Sequence, residues 1–474
     1  MTKFGMPGVF THGTFDTWTP GYLMFIATMH NGISRLYETF GNGGADTVER
    51  TLQPGAYSRT WYRQNPPLPK AMWSQRNNNN YQQTGLLVSL HHFTQNRQLF
   101  LRNFYLKSKR SILKAKTEGP AAYVFTATDP RPGLQADLLR VLQKQGCEVS
   151  RATAAFTVEV GKKKPAPRET TMPAGNDGQE KKPETKDEPQ TREFPAGSYI
   201  VRMDQPYSRI ADALLDYQYW APDEPQRNPY DDTGWTFGEL FGVDVARVTD
   251  AKVLDVAVEK VTGDVNAPGD IRGSGGVYVV NHNADPSLAT LRYRLKNASF
   301  EAAEDGFEAE GRKFNRGSFV IRNVDRTEME KAAAEAGLTA TALTTAPAVK
   351  THPVKAARVA LLHTWLSTQD EGWWRMTLDQ FHIPYDYLST QDIAKDANLN
   401  AKYDVMLFAP VGRGGQAIIS GLPMWGNPLP WKTTPETPNL GKIDETDDMR
   451  PGLGLGRTRE PGDLRQAQQS AGRR

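Results

Sequence analysis

Apolar positions recur at spacings of three, four or seven between Tyr81 and Lys116, at Leu86, Leu90, Phe93, Phe100 and Phe104, with arginines and lysines on the other faces. That period predicts one long amphipathic helix whose aromatic stripe packs on a sheet. Asn77-Asn78-Asn79-Asn80, just ahead of it, reads as a polar lead-in with a capping role. Nearer the N-terminus the pattern predicts a strand at Gly8-Val9-Phe10, a loop, a buried helix over Tyr22 to Met29, and a strand through Tyr37 to Phe40. Pro20 suits the first turn of that helix and Asn31-Gly32 its end.

Further along, one pattern occurs twice. Tyr123-Val124-Phe125, Leu138 to Leu142 and Phe194-Pro195-Ala196-Gly197-Ser198-Tyr199-Ile200-Val201-Arg202 predict strand, helix and strand. Tyr278-Val279-Val280, Leu291 to Leu295 and Phe314-Asn315-Arg316-Gly317-Ser318-Phe319-Val320-Ile321-Arg322 repeat that order, so a duplication is expected over 119–345. The Gly-Ser of each copy reads as a turn opening a strand, since no P-loop or dinucleotide fingerprint accompanies it. Between 162 and 193 the first copy has almost no apolar residues, which predicts a disordered insertion within one domain.

A third alternation starts at Arg358-Val359-Ala360-Leu361-Leu362, continues through a helix over Glu371 to Phe381, and reaches a strand at Tyr403 to Phe408. It predicts a partial flavodoxin-like or amidotransferase-like module over 355–450. Ligands of such sheets sit beyond the strand C-termini, which points to His363, Trp365 and Gly412 to Gly415. No nucleophile elbow accompanies them. From 451 to 474 the glycine-, arginine- and glutamine-rich sequence predicts a disordered tail.

The phrase Tyr37-Glu38-Thr39-Phe40-Gly41, after a strand and a helix, resembles the closing segment of the zinc carboxypeptidases of the carboxypeptidase A-like class. Phe10-Thr11-His12-Gly13-Thr14-Phe15-Asp16-Thr17-Trp18 and Asp231-Asp232-Thr233-Gly234-Trp235-Thr236-Phe237-Gly238-Glu239-Leu240 look like phrases of large bacterial members with C-terminal extensions. The resemblance implies that 1–118 closes a carboxypeptidase-like mixed sheet, giving an α/β chain overall. It also implies that Glu38 is the general base in hydrolysis of a peptide or protein substrate, in a secreted or periplasmic enzyme. Tyr22 is the nearest candidate for the mobile tyrosine of that class, but it lies in an apolar run that reads as core.

Zinc in such an enzyme needs a His-x-x-Glu pair and a distant third histidine, leaving a position open for water. None of the eight histidines here begins His-x-x-Glu. In the resembling enzymes the ligands precede the matching segment. The expectation is therefore that this chain begins inside an enzyme, that zinc belongs to the intact protein and does not bind here, and that the isolated chain is inactive. Asp231 and Asp232 lack the regular oxygen-ligand spacing of a cation site and read as a capped turn.

Across 474 residues, 57 lysines and arginines nearly balance 54 acidic residues, which leaves no footprint for nucleic acid. No run approaches the roughly 18 apolar residues of a membrane span, and no export-signal pattern opens the chain. The single cysteine, Cys147, excludes an internal disulfide framework and reads as a small buried apolar residue. The competing expectation is a non-enzymatic module that binds peptide, glycan or a partner. Oligomeric state is not legible in the sequence.

Overall fold

The computed structural model describes residues 1–10, 19–42, 44–58, 60, 61, 63, 65–160, 190–218, 236–365, 367–412 and 414–454. The chain is mixed α/β, and every sheet among the described residues is open. It divides into two compact units, Met1–Asn266 and Ala267–Arg474.

In the first unit, helix α1 (Leu23–Met29) is followed by strands β1 (Val48–Thr51) and β2 (Lys70–Trp73), which form an antiparallel pair. Two helices, α2 (Gln75–Gln95) and α3 (Arg97–Thr117), replace the single long one expected. The break falls at Asn96, whose backbone N–H and side-chain amide both donate to His92 O, at 3.0 and 2.9 Å. Much of the apolar stripe is left uncovered by the described residues: Leu86, Leu90 and Phe104 are exposed, whereas Phe93 and Phe100 are half-buried and pack edge to face at 4.7 Å. The sheet expected to receive it is absent among them, because the 1–118 region has only the β1–β2 pair.

The first repeat comprises β3 (Ala122–Phe125), α4 (Pro132–Lys144), β4 (Ser150–Ala152), β5 (Phe156–Val160), β6 (Gln190–Phe194), β7 (Tyr199–Arg202), α5 (Ser208–Leu215), α6 (Phe237–Leu240), β8 (Val245–Val248) and β9 (Val258–Lys260). Its sheet order is β8-β3-β7-β4-β9, antiparallel at every pairing. This is a split β-α-β arrangement in which β7 lies between β3 and β4, as in ferredoxin-like folds.

The second unit opens with β10 (Asp270–Gly273) and then repeats the pattern: β11 (Val277–Val280), α7 (Ser287–Arg294), β12 (Ser299–Ala303), β13 (Phe307–Ala309), β14 (Arg312–Phe314), β15 (Phe319–Arg322), α8 (Arg326–Ala336), β16 (Thr339–Leu343) and β17 (Thr351–Pro353). The order β16-β11-β15-β12-β17 matches the first sheet strand for strand, with β10 added beside β16. Register agrees too: Tyr123 faces Val201 as Tyr278 faces Ile321, and Val124 faces Ile200 as Val279 faces Val320. The duplication expected over 119–345 therefore places one copy in each unit.

The shared phrase has one geometry in both copies. Gly197 and Gly317 adopt φ of +88° and +86°, a conformation that glycine enters without a Cβ penalty. The next serine is fully buried in each. Ser198 Oγ accepts from Ala127 N and donates to Pro195 O, while Ser318 Oγ accepts from His282 N and donates to Asn315 O. Both hydroxyls are used in closing the turn that opens a strand. Residues 190–193, expected in the disordered insertion, belong to β6, and residues 161–189 lie outside the described set.

The last module contains β18 (Val359–His363), α9 (Gln369–Gln380), β19 (Tyr385–Ser389), α10 (Thr390–Lys395), α11 (Leu399–Lys402), β20 (Val405–Phe408) and α12 (Gly415–Ser420). Its three parallel strands lie in the order β19-β18-β20, with β18 wholly buried. That is the arrangement of the first three strands of a flavodoxin-like sheet. Residues 451–454 are ordered against this module, unlike the disordered tail expected there: Leu453 joins its core and Pro451 bridges to Gly421. Residues 455–474 lie outside the described set.

Candidate functional site

Residues 31–42 form no strand, contrary to the pattern around Glu38. A strand needs a neighbouring strand to satisfy its backbone, and here the neighbours are α2 and α3. The segment is instead a strap pinned by side chains. Lys107 Nζ donates to Gly32 O at 2.8 Å, and Ser34 Oγ to Met24 O at 2.9 Å. The Tyr37 hydroxyl meets Ser89 Oγ. At Gly85 a Cβ would stand 3.2 Å from the Tyr37 ring, so the glycine lets that ring lie on the helix.

Beyond Glu38, Asn78 holds the strap. Its amide nitrogen donates to Phe40 O at 2.6 Å and to Asn42 Oδ1 at 2.9 Å, and its amide oxygen accepts from Trp73 Nε1 at 2.6 Å. The Phe40 and Trp73 rings meet edge to face at 5.3 Å, and Arg50 donates to Gly41 O. Of the asparagine run, Asn77 does the capping expected, bonding Ser74 N. Asn78 has a separate role that the sequence reading missed. Its signal was that one cap cannot use four consecutive asparagines.

Glu38 is therefore presented on a backbone fixed on both sides, with its side chain exposed and unpaired among the described residues. It is not gathered with metal ligands: no group of three or more His, Cys, Asp or Glu suited to a metal ion occurs among the described residues. His12, Asp231 and Asp232 lie outside them. His30 is engaged otherwise, with Nδ1 on Ile26 O and Nε2 on Gln145 O, each at 2.7 Å.

In the second unit, the structure brings together two of the residues expected beyond the strand C-termini. His363 ends β18, and its Nε2 lies 2.7 Å from Asp444 Oδ2. Its ring stacks on Tyr387 at 4.2 Å and meets Trp365 edge-on at 4.9 Å. Tyr387 donates to Glu371 Oε1 at 2.7 Å, and its hydroxyl pKa is pushed up by burial and then by that carboxylate. Buried His363 Nδ1, Glu371 Oε2 and Trp365 Nε1 lack partners among the described residues. Gly412 and Gly414 lie in the β20–α12 connection and Gly415 opens α12, apart from these contacts. Asp444, 81 residues from His363, left no trace in the local pattern.

Cys147 is buried as expected, and burial pushes its thiol up to about 12. No helix among the described residues is long and apolar enough to cross a membrane. Comparison with protein-family models, with curated proteins and with solved structures finds no match to this chain.

Proposed function

We propose that the chain carries the general base of a zinc-carboxypeptidase-like peptidase, acting on peptide or protein substrates in a secreted or periplasmic setting. Glu38 is that base. The observation supporting this reading is the pairing of a pinned strap, bearing an unengaged carboxylate, with a helix face whose Leu86, Leu87 and Leu90 are left uncovered. Apolar surface of that kind marks a place where more protein packs. A base needs a fixed backbone and a free carboxylate to take a proton from the attacking water and return it to the leaving amine.

The described residues do not fit a zinc ion, since their potential ligands do not gather in threes. The contribution of this chain is the carboxylate alone, and by itself the chain is expected to be inactive. Fused to the zinc-binding part of a carboxypeptidase A-like enzyme, it is expected to release C-terminal amino acids in a metal-dependent way. Glu38→Gln should lower that rate at least about a hundredfold, the scale of a lost general base. Full activity in Glu38→Gln, or activity of the chain alone, overturns the assignment. A second reading, a non-enzymatic module binding peptide, glycan or a partner, is favoured by the open groove of the second repeat.

A further inference from the structure

Each repeat places an Asp-Pro pair ahead of the helix that follows its first strand, Asp129-Pro130 and Asp285-Pro286. In the first repeat both carboxylate oxygens are occupied: Asp129 Oδ1 accepts from Arg131 N and Oδ2 from Asp244 N, each at 2.8 Å. In the second, Oδ1 of Asp285 accepts from Ser287 N at 2.9 Å. Its Oδ2, in a residue only 5% exposed, has no partner among the described residues. A buried carboxylate oxygen without a donor is costly.

Asp285 lines a groove of about 1060 Å³ together with His282, Arg316, Leu288 and Phe319. By strand register and shared phrase, His282 and Arg316 occupy the positions held by Ala127 and Ala196 in the first repeat. One scaffold thus carries two alanines in one copy and an imidazole and a guanidinium in the other. The neighbouring Glu304 is engaged by Lys350 at 2.6 Å. Arg316 has no carboxylate partner among the described residues.

We propose that this groove binds a small zwitterion of the α-amino-acid or dipeptide class, with its ammonium on Asp285 Oδ2 and its carboxylate on Arg316. An ammonium is the donor that best satisfies a buried carboxylate oxygen. A guanidinium offers the planar fork that a free carboxylate matches. Leu288 and Phe319 supply the apolar wall for a side chain, and the volume is that of a small-molecule site. The assignment rests on the second unit alone and stands whether or not Glu38 acts as a base.

The test is calorimetric titration of the whole chain with four probes: L-leucine, L-alanyl-L-leucine, N-acetyl-L-leucine and L-leucinamide. At least one zwitterion is expected to bind, and the acetylated and amidated probes to bind at least about tenfold more weakly, a loss of about 1.4 kcal/mol. Asp285→Asn, which keeps the acceptor for Ser287 N, should remove the preference for the free ammonium. Arg316→Ala, which copies Ala196 at an exposed position, should remove the preference for the free carboxylate and keeps the test valid if Asp285→Asn fails to fold. Absence of binding by both zwitterions, equal binding of all four probes, or affinities unchanged in a folded variant overturn the proposal.

Discussion

Asn78 stands on the first turns of α2 with its nitrogen shared between Phe40 O and Asn42 Oδ1 and its oxygen taken by Trp73 Nε1, so truncation leaves buried groups on two elements unpaired. Each such group costs about 1–3 kcal/mol. Asn78→Ala is expected to destabilise the first unit by about 2 kcal/mol, measured by denaturant unfolding, and to raise amide exchange at residues 40–42. Asn78→Asp should do at least as much harm, because it sets a carboxylate against two carbonyl oxygens. Unchanged exchange in a folded Asn78→Ala variant would mean that the strap is held by its other contacts. The same logic separates the two aspartates of the repeats: Asp129 has both oxygens taken by backbone N–H groups, whereas Asp285, in the matching Asp-Pro pair one register position further on, has an oxygen to spare.

The hairpins β5–β6 and β13–β14 are counterparts closed in different ways. Phe156 stacks on Phe194 at 5.3 Å and Phe307 on Phe314 at 5.0 Å. In sequence residues 161–189 separate β5 from β6, whereas Glu310-Gly311 closes the second hairpin with φ of +49° and +67°. Two consecutive positive φ values match a turn whose twist suits paired strands. Replacing 161–189 by Glu-Gly is expected to keep the fold of the first repeat and to stabilise it by up to about 2 kcal/mol through loop closure. Cys147 is the reporter: its thiol, pushed up to about 12 by burial, reacts with a disulfide reagent at pH 8 only when the repeat opens. Labelling should become slower in the shortened variant. Faster labelling, or loss of a cooperative melt, would show that 161–189 contributes to folding.

At the scale of the whole molecule, the uncovered face of α2 decides how the chain behaves alone. Leu86 and Leu90 are exposed one turn apart, beside exposed Leu87 and Val88. The chain is expected to self-associate through this face. The pair Leu86→Glu with Leu90→Lys sets opposite charges in the favourable helical order. It should reduce association in sedimentation velocity while leaving the melting temperature within about 2 °C, as for exposed positions elsewhere. A large fall in melting temperature would mean that these leucines are packed in the isolated chain.

The repeats were legible in the sequence because strand and helix periods, and a glycine that must turn with positive φ before a buried serine, are properties of a few adjacent residues. The alternation from Arg358 to Phe408 was legible for the same reason, and with it the α/β class. The sequence could not reveal what lies opposite a given residue. The period at Leu86, Leu90 and Phe104 specified an apolar helix face, but not whether anything covers it. The pattern at Tyr37 to Phe40 suited a strand, yet without a strand beside it the segment became a strap on two helices. Only tertiary structure joined His363 to Asp444, capped Asp129 with Asp244 N and left Asp285 without the equivalent donor. Local order follows from steric and hydrophobic periods along the chain, whereas sites depend on which distant donors and acceptors the packing brings within hydrogen-bonding reach.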